Sequence, residues 1–545
     1  MIKTFRPTTM GPNGMVTTPH YLASQAGAHV LQNGGNAIEA AICAASTIAV
    51  VYPHMNSIGG DNFWLIYDAQ KKEMKALNSS GRSGEQATIS FYREQGFEQI
   101  PTRGYLSANT VPGAIAGWDK AYQYSKEYLK GSFSWGDLLQ SSIDYAKNGF
   151  AVTTSQQYWT NVNLDEADNE FRHLQRFEGF RSTFMKDDST YKAGELMKQN
   201  DLAQTLEAIA EEGSKVFYEG VIGQQIVTDL QANGGILTVN DFRNHKSDWV
   251  DPISVDYRGY KAYNLPPNTQ GMASLSILNI LNNFDLSVMK EGSPDYYHLL
   301  VEATKLAFSD RDKWLTDPDF QRIPLDDLLS KSHGMNLANQ IHQDLSRVMS
   351  KQLDPKGDTV WFGIVDQQGN AVSFIQSIYH DFGSGIIPKN TGILMQNRGS
   401  FFSLEDNHVN CLKPNKRTFH TLNPAMLLDD SNLKLVYGTM GGEGQPQTQA
   451  ALITRIIDYG FDVQAAIEAP RWLYGRTWGA SSNHLKVEGR VPRQIINSLR
   501  KRGHDIEVVD EWTDVMGHAG AILVNEENVK LAGADPRGDG AAIGY

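Results

Sequence analysis

The sequence lacks features on which several large classes of protein depend. It contains only two cysteines, Cys43 and Cys411, in 545 residues, and neither belongs to a CxxC pair. A disulfide framework therefore does not organise the fold, and buried free thiols are expected. Basic residues are in the minority, because 49 Lys and Arg stand against 62 Asp and Glu. This acidic balance, without a long basic tract, argues against a nucleic-acid partner.

Long hydrophobic runs are also missing. The longest apolar stretch, residues 37–52, includes Glu39 and is shorter than the roughly 20 residues that a membrane span needs. It predicts a buried helix, and we expect no membrane partner. The first ten residues have no apolar core of signal-peptide length. The sequence therefore predicts a cytoplasmic location.

Several catalytic motifs cannot be found. There is no GxSxG elbow, no GxxxxGK[ST] phosphate loop, no GxGxxG after a strand and no HExxH helix. The 14 histidines are scattered along the chain. We therefore expect neither a metal ion nor a cofactor.

The predicted secondary structure changes along the chain. Helical patterns dominate between residues 110 and 235, residues 317–358 look like a polar connection, and strands become frequent after residue 359. The clearest predictions are helices over 37–51, 135–148, 200–212, 272–281 and 296–314, and hairpins formed by 62–67 with 73–77 and by 360–365 with 371–378. Layers of helices and strands are what this order suggests.

One junction between a turn and a strand could carry a catalytic residue. The polar, turn-prone residues 354–358 run directly into a segment rich in β-branched and aromatic residues that begins at Thr359. We hypothesise that the chain cuts itself between Asp358 and Thr359. A threonine with a free α-amine carries its own base, because the amine takes the hydroxyl proton while Oγ attacks a carbonyl. The alternative is that Thr359 simply begins an ordinary strand.

These stretches together resemble the γ-glutamyltransferase family of N-terminal-nucleophile hydrolases over nearly the whole chain. The matching sequence motifs occur in the same order as in the family. They include Gly34-Gly35-Asn36-Ala37, Thr110-Val111-Pro112-Gly113, Phe382-Gly383-Ser384-Gly385, Pro414-Asn415-Lys416-Arg417 and Asp535-Pro536-Arg537. The resemblance implies an α+β fold, a four-layer αββα sandwich with extra helices in the N-terminal part. It also implies a proenzyme cut into a large subunit, 1–358, and a small subunit, 359–545, that form one unit, with a higher oligomer left open.

The resemblance assigns catalytic roles to four residues. Thr359 matches the nucleophile, and Ser377 matches a hydroxyl residue that hydrogen-bonds the nucleophile. Gly441 and Gly442 match the backbone oxyanion hole, although the glycine-rich run around them could alone be a flexible turn. An α-amine with a pKa of about 7.7–8 is substantially neutral near neutral pH, as a general base must be.

The substrate positions depart from the family's pattern. Arg398 and Phe401 stand where the family has a Gln and an Asp that hold an α-amino group, so a charged ammonium loses its acidic partner. The nucleophile is followed by Val360-Trp361 rather than the family's usual Thr-His, a second sign of a changed substrate. The arginine that anchors the substrate carboxylate in the family has no direct counterpart in this sequence, and Arg82 and Arg103 are the two candidates. The residues that we predict to bind substrate are Arg82, Arg103, Tyr379, Arg398, His420 and Thr421.

This pattern resembles the acylase-like branch of the family, which is associated with glutaryl-type side chains on β-lactam nuclei. Arg398 with His420 could bind the terminal carboxylate of such a group, or Arg398 could pair with a nearby acid. The sequence therefore predicts an autoprocessing amidohydrolase or acyltransferase that cleaves γ-glutamyl or glutaryl-type amides of small molecules through an acyl-enzyme. The alternatives are a glutaryl-cephalosporin-type acylase with little γ-glutamyl activity and, in another class, an unprocessed non-catalytic binding protein. The choice between hydrolysis and transfer stays open.

Overall fold

The computed structural model of the protein describes residues 4–168, 170–347, 358–475 and 484–545, without the side chain of Asp358. Its centre consists of two seven-stranded antiparallel sheets. Sheet I contains, in spatial order, β21 (Ala541–Gly544), β2 (Met15–Thr18), β12 (Asp358–Val365), β13 (Ala371–Tyr379), β3 (Asp61–Asp68), β4 (Glu73–Ser79) and β9 (Asp248–Val250). Sheet II contains β1 (Thr9–Gly11), β20 (Lys530–Ala534), β19 (Ala519–Val524), β15 (Asn432–Thr439), β14 (Ala425–Asp429), β11 (Tyr260–Asn264) and β10 (Ile253–Tyr257).

Three smaller sheets lie outside this centre. Their strands are β16 (Trp472–Tyr474), β17 (Leu485–Glu488) and β18 (Ile506–Val509) in one sheet, β5 (Phe150–Ala151) with β8 (Leu196–Met197), and β6 (Met185–Lys186) with β7 (Ser189–Thr190).

The helices fall into an N-terminal and a later group. The first group is α1 (Tyr21–Gln32), α2 (Ala37–Val51), α3 (Ile89–Glu94), α4 (Ala114–Tyr128), α5 (Trp135–Asn148), α6 (Thr154–Val162), α7 (Glu178–Phe184), α8 (Asn200–Glu212), α9 (Lys215–Tyr218), α10 (Val221–Ala232) and α11 (Val239–Asn244). The second group is α12 (Gly271–Leu281), α13 (Pro294–Trp314), α14 (Leu325–Leu328), α15 (Lys331–Ala338), α16 (Gln445–Ile453), α17 (Val463–Glu468) and α18 (Arg493–Lys501). Within the described ranges, no helix combines the length and apolar composition that crossing a bilayer requires.

The core follows from the alternation of side chains along the central strands. On β12, Val360, Phe362 and Ile364 pack with the apolar residues of α2 and neighbouring helices. The intervening Trp361 and Val365 instead join a cluster made by the facing surfaces of the two sheets. A further cluster covers the other face of sheet II with residues of α12, α13 and α16. The prediction of an α+β protein is thereby confirmed, with two large antiparallel sheets and helices on their outer faces.

Local signals explain why the predicted elements form. Asn36 caps α2, accepting from the backbone N–H groups of Ile38 and Glu39 at 3.0 and 3.1 Å, while Glu39 accepts from the Asn36 N–H at 3.0 Å. This reciprocal capping box fixes the start of a helix that is buried on every side. Both predicted hairpins are confirmed, since β3 pairs with β4 and β12 pairs with β13.

One local prediction needs correction, and two further elements have features of their own. The connection predicted over 317–358 contains two short helices, α14 and α15, and its residues 348–357 lie outside the described ranges. Helix α16 ends at Ile453 and continues as a π-helical turn over Thr454–Asp458. The late strand β18 belongs to the small sheet that it forms with β16 and β17.

Strands that precede residue 358 in the chain and strands that follow it are interleaved in sheet I. β12 pairs with β2 on one side and with β13 on the other, and β13 then pairs with β3. The division into a large and a small subunit stays a prediction. In either form, the residues before and after position 358 build the same sheets.

Candidate active site

Thr359 lies at an irregularity in the central strand of sheet I. Asp358 pairs with Tyr379, but Val360 pairs with Gln376, so the register shifts by one residue at Thr359. Such bulges redirect a side chain and are common beside active sites. Thr359 is buried, and Ser377 on β13 is buried too, with its Oγ accepting from the Tyr379 N–H at 2.8 Å. Thr359, Ser377 and Tyr379 therefore lie at the same end of the sheet.

The predicted oxyanion glycines follow β15 in sheet II. Gly441 and Gly442 have φ angles of 114° and 51°, which a residue with a side chain rarely adopts. The carbonyl of Gly442 accepts a hydrogen bond from Nε2 of Gln270 at 2.8 Å. The same Nε2 donates to the carbonyl of Thr421 at 2.7 Å. Gln270 thus links the glycine loop to a predicted substrate residue.

A buried arginine holds Gln270 in turn. Arg311 Nη1 donates to Gln270 Oε1 at 3.2 Å, and its Nη2 pairs with Glu443 at 3.4 Å and with Asp312 at 2.7 Å. Arg311 lies in the last turn of α13 and is buried next to the glycine loop, a contact that sequence spacing could not reveal.

Arg398 is a fully buried cation. Its guanidinium carbon lies 4.1 Å from the centre of the Tyr379 ring, and Nη1 donates to Thr421 Oγ1 at 3.3 Å. Nε and Nη2 have no hydrogen-bond partner among the residues that the structure describes. Burial lowers the pKa of Arg398 to about 10, against the opposing effects of Tyr379 and Asp61. Arg398 remains charged near neutral pH.

An acid whose charge acts on this cation was not predicted. Asp61, the first residue of β3, is buried at the same end of the sheet as Ser377, with which it pairs. Its carboxylate accepts four hydrogen bonds, from the N–H groups of Gly81 (2.9 Å) and Gly113 (3.1 Å), from Gln396 Nε2 (3.0 Å) and from His420 Nε2 (3.3 Å). Burial raises the pKa of Asp61 to about 6, although these donors and Arg398 lower it. The one available sequence signal was an acid directly after Gly59-Gly60 at the start of a strand.

His420 is buried between Asp61 and Phe63, whose ring it meets edge-on at 4.7 Å. Burial and the charge of Arg398 hold the pKa of His420 well below its usual value, so the imidazole is neutral. Its Nδ1 has no partner within the described part of the chain. His420, Thr421 and Arg398 are neighbours, and their role in binding substrate stays a prediction.

The other two predicted arginines have different surroundings. Arg82 pairs with Asp317 at 3.2 Å and with Asp319 at 2.6 Å. Arg103 is buried and donates to the backbone carbonyls of Phe171 and Gly383, among others. The structure does not bring either guanidinium into the group around Asp61. Their assignment as substrate residues stays a prediction.

Trp361 occupies the core rather than the substrate positions. Its Nε1 donates to Ser373 Oγ at 2.9 Å, and the indole lies against Gly438 and Gly520 of sheet II. Both Val360 and Trp361 pack in the hydrophobic core, so they do not themselves line a substrate site, and the changed substrate stays a prediction.

One group of potential metal ligands occurs in the described ranges. His298, Glu302 and His504 place ligand atoms within 4.8 Å of one another. However, His298 Nδ1 and His504 Nε2 share a hydrogen bond of 2.8 Å, and the ammonium of Lys305 lies 2.8 Å from Glu302 Oε1. A resident ammonium on the only carboxylate disfavours a second cation.

The fold places the protein among the N-terminal-nucleophile hydrolases. The structure matches a cephalosporin acylase from Bacillus halodurans with a TM-score of 0.90 and 36% identity, over 100% of this chain and 98% of the other. The particular family follows from the sequence. The chain belongs to the gamma-glutamyltranspeptidase family, whose sequence model matches residues 23–545. It is an enzyme of that family, a hydrolase related to both glutathione hydrolases and acylases.

Two curated relatives are similar over almost their entire length. The chain is 48% identical to the glutathione hydrolase-like YwrD proenzyme of Bacillus subtilis, over 98% of this chain and 99% of the relative. It is 42% identical to the oxamate amidohydrolase proenzyme of Klebsiella pneumoniae, over 98% of both chains. The relatives share a hydrolytic chemistry but are named for different substrates.

Proposed function

We propose that the protein is an autoprocessing amidohydrolase whose substrates carry a carboxylate on the acyl group. In this proposal a four-layer αββα sandwich is cut between Asp358 and Thr359, which frees the α-amine of Thr359. The observation that carries the substrate class is Arg398, a buried cation with two N–H donors that have no partner in the described structure. Buried charges are normally paired, so an anionic ligand is the natural complement.

The proposed reaction uses groups at one end of the two sheets. The α-amine of Thr359 takes the hydroxyl proton, and Oγ forms a bond to the amide carbonyl carbon. The backbone N–H groups of Gly441 and Gly442 stabilise the oxyanion, each by about 2.7–4 kcal/mol if they behave as typical donors. The C–N bond then breaks, the amine leaves with the proton, and water hydrolyses the ester.

Self-cleavage needs the same hydroxyl before the amine exists. Oγ of Thr359 attacks the carbonyl carbon of Asp358, the peptide C–N bond breaks, and the nitrogen takes the hydroxyl proton and becomes the free α-amine. Water then hydrolyses the resulting ester and releases Asp358 as a new C-terminus. The bulge at Thr359 supports this step, because it lets the side chain leave the regular alternation of β12.

Arg398 is the best placed of the three candidate arginines to bind the carboxylate. Arg82 already meets two carboxylates, whereas Arg398 stacks on Tyr379 next to the strand that carries Thr359. The name of the Klebsiella relative supports an anionic substrate, since oxamate is a small amide with a carboxylate. The cephalosporin acylase likeness supports the glutaryl-type alternative.

A second candidate is hydrolysis of γ-glutamyl amides. The Bacillus subtilis relative is named glutathione hydrolase-like, and Asp61 provides a buried acid that the sequence argument did not include. An α-ammonium would find this carboxylate close to Arg398. The four hydrogen bonds that Asp61 already accepts weigh against that role.

A denaturing gel and a set of anilides test the proposal. Purified wild type should show fragments of 358 residues and of the remaining 187 of 545. Thr359→Ala should show one band, while Thr359→Ser, which keeps a hydroxyl, should still be cut. A single stable wild-type band would favour the non-catalytic binding protein and overturn the proposal.

After processing is established, glutaryl, γ-glutamyl and valeryl anilides separate the substrate classes. We expect the charged glutaryl anilide to be cleaved at least about tenfold faster than the neutral valeryl anilide, because one charge-assisted hydrogen bond typically contributes this much. Equal rates for the two would contradict the carboxylate assignment. A clear preference for the γ-glutamyl anilide would select the second candidate.

A further inference from the structure

Asp61 determines the orientation of two neighbouring side chains. Its Oδ1 accepts from Gln396 Nε2 at 3.0 Å, and its Oδ2 accepts from His420 Nε2 at 3.3 Å. Because Gln396 donates with its amide nitrogen, its Oε1 must face away from Asp61. Because His420 carries its proton on Nε2, its Nδ1 is an acceptor in the neutral ring.

These two acceptors are unsatisfied, and so are two donor nitrogens of Arg398, whose remaining nitrogen bonds Thr421. Gln396 Oε1, His420 Nδ1, Arg398 Nε and Arg398 Nη2 are all buried, and none has a hydrogen-bond partner among the described residues. Arg398 is two residues from Gln396 in the chain and bonds Thr421, the residue after His420. Buried polar groups are normally satisfied, so four such atoms around one carboxylate indicate a ligand of matching pattern.

The pattern consists of two N–H donors and two acceptors. A carboxylate complements the donors of Arg398, because its two oxygens match the planar guanidinium. The acceptors require an N–H or O–H group on the ligand. A neutral donor suits them better than an ammonium, since the carboxylate that could pair with an ammonium, Asp61, already accepts four hydrogen bonds.

We propose that Asp61 is a specificity-determining positioning residue, which fixes Gln396 and His420 as acceptors and thereby selects acyl groups whose carboxylate has a neutral N–H or O–H donor beside it. This inference rests on the proposed function and narrows its substrate class. The carboxylate accepts from Arg398, and the neighbouring hydroxyl or carboxamide donates to His420 Nδ1 or Gln396 Oε1. Asp61 itself does not touch the substrate.

Replacing Asp61 by Asn should change the preference and not only the rate. An asparagine accepts with Oδ1 but donates with Nδ2, so Gln396 or His420 must reverse its hydrogen bond. A reversed His420 carries its proton on Nδ1 and repels a ligand donor. A loss of stability alone would weaken all ligands equally and leave their ratio unchanged.

The test compares 2-hydroxyglutarate with glutarate as competitive inhibitors of the processed enzyme. Wild type should bind the hydroxy acid about 3- to 10-fold more tightly, the ratio typical of one neutral hydrogen bond. In Asp61→Asn the ratio should fall to about one or below. Gln396→Met is the alternative variant if Asp61→Asn does not fold. It removes one acceptor but leaves Asp61 ionised and bonded by three donors, and it should reduce the ratio of the two inhibition constants.

The outcomes separate the two proposals. Equal inhibition by both acids in wild type, with glutaryl anilide still cleaved, would overturn the role of Asp61 and leave the proposed function standing. An unchanged ratio in folded Asp61→Asn would also overturn it. Absence of cleavage and of inhibition by either acid would instead refute the proposed function.

Discussion

The indole of Trp361 lies directly on the backbone of Gly438. A Cβ atom at position 438 would come within 2.2 Å of Trp361 Nε1. Trp361 belongs to β12, which contains Thr359, and Gly438 belongs to β15, which leads into the glycine loop. The contact between ring and glycine thus joins the strand of the predicted nucleophile to the strand of the predicted oxyanion hole.

Gly438→Ala should therefore destabilise the protein by overpacking. Neither the strand nor the buried indole can move without disturbing the cluster between the sheets, so we expect a loss of about 1–3 kcal/mol in the free energy of unfolding. Gly136→Ala is the control, because a Cβ there meets its nearest atom at 3.5 Å and lies within α5. Urea denaturation should show the loss for the first variant and none for the second. Equal stabilities would mean that the sheets can separate locally.

Arg398→Met should weaken the binding of anionic substrates. Removing a buried charge-assisted contact is expected to raise KM for glutaryl anilide by about 10- to 100-fold. Arg82→Met is the matched control, since Arg82 is partly exposed and pairs with Asp317 and Asp319. It should change KM less than about twofold, because its guanidinium is already bound to two carboxylates and is not placed to bind the substrate. The opposite order of effects would move the carboxylate site to Arg82.

Gln270→Leu should lower kcat more than it raises KM. The leucine leaves the carbonyls of Gly442 and Thr421 without their donor, so the glycine loop can shift relative to the substrate. A displacement of about 1 Å can reduce the rate by about 100-fold. Steady-state kinetics of the processed enzyme measures this split, with Gln140→Leu on the exposed face of α5 as the control. An unaltered kcat would show that Gln270 does not position the loop.

The stability of the protein should carry a pH signature of Asp61. Its pKa rises from 3.8 to about 6 on folding, so the folded state holds this proton more tightly than the unfolded chain. The resulting stability is present below pH 3.8 and is lost as the pH rises through about 6, by up to about 3 kcal/mol. The free energy of unfolding should be measured for wild type and for Asp61→Asn between pH 4 and 7. In the difference between the two, the contributions of the other carboxylates cancel. A difference that does not change with pH would contradict the raised pKa.

The sequence predicts the elements that local chemistry specifies. The helix over 37–51 matches α2 because Asn36 and Glu39 form a capping box before an uninterrupted apolar run. The hairpin after Thr359 is equally local, since a polar turn separates two β-branched strands. These short-range signals, with the family resemblance, were enough to indicate the fold and the position of Thr359.

The substrate region could not be predicted in the same way. Asp61, Gln396 and His420 are more than 300 positions apart at the extremes and meet only because β3 and the loops after β13 converge. Sequence spacing also could not tell that Arg82 meets two acids while Arg398 does not, or that Trp361 faces sheet II. Tertiary packing decides these points.

The alternation of strands in sheet I has a consequence for reversibility. If the chain is cut at position 358, β12 still lies between β2, from the first piece, and β13, from the second. The pieces cannot separate unless the sheet itself unfolds, so dissociation and denaturation become one event. Before the cut, refolding is a first-order process; after it, two molecules must find each other. The melting temperature of the cut form should accordingly rise with protein concentration, while that of Thr359→Ala should not.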